Sequence, residues 1–209
     1  MSSAYNKQII INFLNGNGDR TILDGTNAIV AKGARQGVRS TVFNANRCTT
    51  DEIAREASST MGPWRLYLRG HGDFQRKTLG GKRPDAIASF LLAIIDQGNL
   101  PDVISVTGCR LALGPTQIAT QAPNIASKDS FVGDLHRMLG EHNIHVRMSG
   151  RAMLVSVHGA GTKIGRKITF ISEGQYRHHE QSRSKVIFFW DENGNQQCKF
   201  SWDEMDLEE

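Results

Sequence analysis

Between residues 85 and 97 the chain places Ile87, Phe90, Leu91, Ile94 and Ile95 at the spacing i, i+3, i+4, i+7, i+8. That spacing makes one apolar helical face. Apolar, strand-like runs lie on either side, Arg65–Arg69 before it and Asp102–Thr107 after it, with Asn99-Leu100-Pro101 breaking the helix. A strand, a helix and a second strand joined in this way form a right-handed crossover that leaves the two strands parallel and usually adjacent. The rest of the first 150 residues repeats the theme. Gln8–Phe13 reads as a buried strand, followed by a Gly/Asn loop over Asn15–Asp19. Ile22–Ala31 reads as a helix and Val38–Phe43 as a strand. Thr49 with Glu52 forms a capping box that opens a helix running to about Ala57. Ser130–Leu139 is expected to be helical and Ile144–Met148 to be a fifth strand. An α/β fold with a mostly parallel sheet follows.

Beyond residue 150 the pattern changes to strands separated by turns, at Met153–Val157, Lys167–Ile171, Lys185–Trp190 and Gln197–Trp202. The expected organisation is one domain over 1–202, with a core at about 8–150 and β-hairpins over 151–202, followed by an acidic tail at 203–209. Residues 110–129 hold two prolines and little periodicity, and long irregular loops of this kind are often functional.

Composition excludes several classes. With 39% hydrophobic and 22% charged residues the chain is neither disordered nor fibrous. No apolar run reaches the roughly 18 residues of a membrane helix, and the first residues lack the apolar core of a Sec signal. Three cysteines, Cys48, Cys109 and Cys198, make no disulfide framework, which points to a reducing compartment. The tail Asp203–Glu209 contributes five acids and no base, so the remainder carries 25 basic against 16 acidic residues, a balance of +9. Such a body is either suited to a polyanion, such as nucleic acid, anionic lipid or a phosphorylated small molecule, or simply a solvated basic surface. A nucleic acid is not expected, because no helix-turn-helix, RRM or aromatic-basic interleaving is present.

In open α/β sheets, function sits just beyond the carboxyl ends of the strands. His71 stands at one such end, within Gly70-His71-Gly72, and Cys109 stands at the next, after Gly108. The topology therefore pairs an imidazole with a thiol. A thiol of ordinary pKa, about 8.5, is only slightly ionised at neutral pH. A neighbouring imidazole can take its proton and later protonate a leaving amine. The N–H groups of Gly72 and Cys109 are candidates for an oxyanion hole. Cys48 and Cys198 lack such a setting and read as structural. The remaining histidines, His136, His142, His145, His158, His178 and His179, occupy polar or mixed contexts, and no CxxC or HxxxH spacing supports a metal site.

The series Leu66-Tyr67-Leu68-Arg69-Gly70-His71-Gly72 followed by Val103-Ile104-Ser105-Val106-Thr107-Gly108-Cys109 resembles the caspase-like (clan CD) cysteine peptidases. Within them it is most similar to the self-cleaving cysteine protease domains of multifunctional RTX toxins and large clostridial toxins. Ser130–Leu135 with Ile144–Met148 is similar to their helix and strand after the cysteine. The segments around Gly165-Arg166-Lys167 and Lys185–Gly194 resemble their β-flap. The resemblance implies a caspase-like three-layer αβα fold with a C-terminal β-hairpin flap. It implies an endopeptidase that cuts after an apolar residue, usually leucine, with Cys109 as nucleophile and His71 as its partner. It also implies an acid, Asp19, that orients the imidazole. Inositol hexakisphosphate is the implied allosteric activator, bound in a basic pocket for which Arg35, Arg39, Lys77, Lys163, Arg166, Lys167, Arg177, Arg183 and Lys185 are the candidates. The implied partners are that polyphosphate and a polypeptide substrate, self or host, with no metal, membrane or nucleic acid. The implied setting is bacterial secretion without a Sec signal and action in the host cytosol, the alternative being a cytoplasmic protein.

Two features depart from that pattern. No leucine precedes the first strand, Leu14 being the first. The chain is then either an excised domain or a free-standing effector that cuts in trans; the initial methionine and the acidic tail favour the effector. Arg110 directly follows the cysteine, where an apolar side chain of the substrate should lie, and either faces away or changes specificity. Two further readings stay open. One is a caspase-like peptidase without inositol phosphate control. The other is a non-enzymatic phosphate-binding domain using Gly16-Asn17-Gly18-Asp19, although no GxGxxG or GxxxxGK[ST] is present.

Overall fold

The computed structural model describes residues 5–15, 19–114, 126–152, 168–172, 175–179 and 185–201. Its centre is a seven-stranded sheet in the order β11-β10-β7-β6-β3-β1-β2. β1 (Lys7–Phe13), β2 (Arg39–Asn44), β3 (Trp64–Gly70), β6 (Val103–Thr107) and β7 (Arg147–Arg151) run parallel. β10 (Lys185–Trp190) and β11 (Gln196–Phe200) form a hairpin that extends the sheet antiparallel from β7. β4 (Gly72–Asp73) with β5 (Thr78–Leu79), and β8 (Ile168–Ser172) with β9 (Gln175–His179), make separate two-stranded sheets.

Strand alternation divides the sheet into two unlike faces. Ile9, Ile11 and Phe13 of β1, Leu66 and Leu68 of β3, Ile104 and Val106 of β6, Met148 of β7 and Val186 and Phe188 of β10 form one apolar face. Against it pack α2 (Thr50–Ser58), α3 (Pro84–Ile95) and α4 (Phe131–Glu141), side by side. The opposite face is polar. There, among the described residues, α1 (Arg20–Arg35) packs against β1, β2 and β3, and its Thr26 hydroxyl donates to Asn12 Oδ1 at 2.8 Å. With helices on both sides, the α/β, mostly parallel, caspase-like architecture expected from the sequence is the one observed.

The helices begin where their caps dictate. Thr49 and Glu52 close the expected capping box, and Pro84 occupies the first turn of α3, where its missing N–H costs nothing. The expected strand Ile144–Met148 is displaced to Arg147–Arg151. Asn143 takes a left-handed φ of 60° and the Ile144 N–H returns to the Leu139 carbonyl at 3.0 Å, so Ile144 and Val146 are buried in the approach to the strand. The strand itself, Arg-Met-Ser-Gly-Arg, is poor in β-formers. Its Gly150 fits because a Cβ there would stand 2.6 Å from Val132 Cγ2. Sequence reading did not anticipate the β4–β5 hairpin or β9. Met153–Val157 and Gly165-Arg166-Lys167 lie outside the described residues.

His136, expected in a polar or mixed context, is fully buried in α4. Its ring stacks on Trp190 at 4.8 Å, and Gln196 Nε2 lies 3.0 Å from its Nδ1. Burial pushes its pKa down to about 4, outweighing a hydrogen bond with Val146 that works the other way. The unfolded chain, with a histidine pKa near 6.5, therefore takes up this proton first as pH falls. Stability is fully present above pH 6.5 and is lost between about 6.5 and 4. The loss attributable to this ring is of order 3 kcal/mol. Urea unfolding should show wild type losing stability relative to His136→Phe between pH 7 and pH 4.5.

Candidate active site

β3 and β6 pair in parallel, with Arg69 opposite Thr107. Two residues farther along each strand stand His71 and Cys109. The backbones there touch. A Cβ on Gly72 would lie 2.4 Å from the Cys109 carbonyl oxygen and 2.7 Å from its nitrogen, and one on Gly108 would lie 3.0 Å from the Gly70 oxygen. The absence of a side chain on Gly72 is thus what lets the two strand ends close together. Cys109 is half-buried and outside any disulfide.

His71 is anchored from the other side. Its Nε2 lies 3.1 Å from Oδ1 and 3.0 Å from Oδ2 of Asp19. Asp19 is also the N-cap of α1, accepting the Ile22 N–H at 3.3 Å. One carboxylate therefore fixes both the helix start and the imidazole. It leaves Nδ1 as the ring nitrogen that can serve a thiol. The carboxylate side chain is only 10% exposed and the imidazole 48%, so the pair is sheltered behind and open in front.

The β4–β5 hairpin holds His71 in place. The His71 carbonyl accepts the Gly80 N–H at 2.8 Å, and Asp73 Oδ1 accepts the N–H groups of Gln75 and Arg76. At the hairpin tip Lys77, with φ 48°, pairs with Asp129 and, at 2.8 Å, with Asp134 of α4. Partial burial works against its charge, but the hydrogen bonds to the two carboxylates outweigh it and hold the ammonium pKa above its usual value. On the other strand end, the turn after Cys109 is pinned twice. Ala112 N–H donates to the Arg151 carbonyl and Val132 N–H to the Leu111 carbonyl, both at 3.0 Å. Within that turn Arg110 adopts φ 57° and holds its guanidinium 5.6 Å from the centre of the Phe74 ring.

The cations named from sequence do not converge among the described residues. Arg35 ends α1 and Arg39 opens β2, at the amino ends of the strands. Arg39 lines a recess of about 630 Å³ with Lys7 and Glu56. Lys77 is occupied by its carboxylates. Arg177 lies on β9, and Lys163, Arg166, Lys167 and Arg183 fall outside the described residues. Lys185 alone joins a larger group that the sequence reading missed. On the polar sheet face Arg65, Tyr67 and Arg69 of β3 alternate inward with Arg147, Ser149 and Arg151 of β7, across Val103, Ser105 and Thr107 of β6. Lys185 pairs opposite Arg151, and Lys199 opposite Ile187, on the same face. Six cations thus share one sheet face, and no acidic residue occupies its strand positions.

Arg69 is 2% exposed. It donates to Thr26 Oγ1 at 3.0 Å and to the Ile22 carbonyl at 3.4 Å. Among the described residues its Nη1 has no hydrogen-bond partner. Burial lowers the pKa of Arg69 and of Arg151 to about 10. Arg65 stacks between Tyr5, at 5.4 Å, and Tyr67, at 4.9 Å. The four-residue spacing of Arg65 and Arg69 in β3 and of Arg147 and Arg151 in β7, an even spacing that keeps each pair on one strand face, is the signal available in the sequence.

Among the described residues no helix is long and apolar enough to cross a membrane, and no group of three or more histidine, cysteine or acidic side chains is placed to hold a metal ion. No curated protein matches the chain. The model of the Peptidase C80 family matches residues 3–166, which span β1 to β7 and both strand ends of the site. With most of its length covered by that match, the chain belongs to the Peptidase C80 family, the cysteine peptidases that form the protease domains of RTX and large clostridial toxins.

Proposed function

We propose that the protein is a polyphosphate-activated cysteine endopeptidase of the toxin-processing type, with Cys109 as nucleophile and His71 as its acid–base partner. The observation that carries this reading is the in-register exit of β3 and β6, which brings Gly72 against the backbone of Cys109. His71 accepts the thiol proton, and the sulfur adds to the carbonyl carbon of the scissile bond. The oxyanion is received by the N–H groups of Gly72 and Cys109. The imidazolium, stabilised by Asp19, returns the proton to the departing amine. Water, deprotonated by the same ring, then releases the acyl group and restores the thiol. Cleavage follows an apolar residue, leucine in the first instance, in the chain itself or in a host protein reached after secretion.

The six-cation sheet face is the proposed seat of inositol hexakisphosphate. A ligand with six phosphates needs guanidinium and ammonium donors converging on one surface. The position of this face supports control of the site. Arg69 lies two residues before His71, at the end of β3, and the Arg151 carbonyl holds the turn that follows Cys109. A polyanion that binds Arg69 and Arg151 better in the aligned arrangement shifts the population toward it. A preference of about 3–5 kcal/mol gives a strong switch.

Labelling with a leucyl, cysteine-reactive probe, with the adduct located by peptide mass spectrometry, tests both parts. The expected result is an adduct on Cys109 that requires inositol hexakisphosphate. An equal adduct without the polyphosphate would remove the control and leave the peptidase. No adduct on Cys109 in either condition would remove both.

A further inference from the structure

We propose that Arg110 is a specificity-determining residue that receives an acidic side chain of the polypeptide substrate beside the scissile bond. The inference rests on Cys109 being the nucleophile and adds a substrate class to that site.

Three observations lead to it. The backbone at position 110 is left-handed, with φ 57°. Glycine and asparagine occupy that region with least strain, so an arginine there is held against its conformational preference. Its guanidinium rests on Phe74, which belongs to the hairpin that follows His71. The side chain therefore spans from the turn of the nucleophile to the hairpin of the imidazole, across the line a peptide must follow to reach both. Stacking on an aromatic face leaves the N–H edge of a guanidinium available for a two-point bond to a carboxylate.

The third observation is the disposition of the nearby acids. Asp19 is taken by His71. Asp129 and Asp134 are taken by Lys77. Asp73 caps its own turn and sits near Arg76. Among the described residues none of these carboxylates pairs with Arg110, and its guanidinium rests on the Phe74 ring. A cation next to the nucleophile, with the local acids bound elsewhere, is complementary to a carboxylate that arrives with the substrate.

The test uses the full chain with saturating inositol hexakisphosphate. A peptide mixture is digested, the cut sites are mapped by mass spectrometry, and each preferred position is then assayed with matched Glu and Gln peptides. Wild type should favour the Glu peptide by about tenfold or more in kcat/KM at one position within two residues of the cut. Arg110→Met keeps the packing on Phe74 without the charge, and should bring that ratio to within about twofold. Arg110→Gly, which relaxes the left-handed backbone, should do the same, and Arg110→Lys should restore part of the preference. A wild-type ratio near one, or a ratio preserved in both Arg110→Met and Arg110→Gly, overturns the proposal and leaves the peptidase reading intact. Failure of wild type to cut any peptide overturns the peptidase reading and this proposal with it.

Discussion

Gly72→Ala is expected to lower peptide cleavage by at least about a hundredfold while the protein still folds. The added methyl would stand 2.4 Å from the Cys109 carbonyl oxygen and 2.7 Å from its nitrogen. Both are backbone atoms, in a turn pinned by Ala112 to Arg151 and by Leu111 to Val132. Relief therefore requires the two strand ends to part by about 1 Å, and a displacement of that size at a reacting centre costs about 10²-fold in rate. Overpacking of this kind costs about 1–3 kcal/mol of stability, a shift of several degrees in Tm for a chain of this size. Position 108 offers the contrast. There the nearest atom to an added Cβ is the Leu111 side-chain tip, at 2.6 Å, which can rotate away. Gly108→Ala should be the milder change. Parallel measurement of kcat/KM and melting midpoint decides the matter, and wild-type turnover in Gly72→Ala would sink the proposed alignment of the strand ends.

Asp19→Asn should separate the two duties of that side chain. Asparagine caps a helix about as well as aspartate, so the bond from the Ile22 N–H and the melting midpoint should be retained. The charge that holds the His71 ring by Nε2 is lost. An amide there can favour the wrong tautomer and cannot stabilise an imidazolium, so kcat/KM should fall by about 10²–10⁴-fold. Asp19→Ala should add a loss of about 1 kcal/mol in stability from the missing cap. Near-normal cleavage by Asp19→Asn would confine Asp19 to its helix.

The parts of the fold legible in the sequence were those written by one element alone. α3 is plain because five apolar side chains repeat at helical spacing, and the crossover rule then places β3 beside β6, so that His71 and Cys109 fall on neighbouring strand ends from the sequence alone. The capping box at Thr49 and Glu52 was equally local. What was hidden depends on partners far along the chain. β7 is a strand because β6 and β10 flank it, not because Arg-Met-Ser-Gly-Arg prefers to be one. The cationic face was overlooked for a related reason. Arginines four residues apart on β3 and on β7 look like scattered surface charges until the sheet order sets only β6 between those strands. The acids that answer Lys77, Asp129 and Asp134, lie more than fifty residues along the chain and are equally out of reach of a local reading.

The strand order also bears on how the molecule is made. Read from β1 across the sheet, β3, β6, β7, β10 and β11 are laid down in the sequence in which they leave the ribosome, each joining the edge left by the one before it, with β2 alone on the far side. Assembly can therefore proceed vectorially, without threading a late strand between two earlier ones. In such growth the strand leading to the thiol docks against the strand leading to the imidazole before the antiparallel hairpin is added.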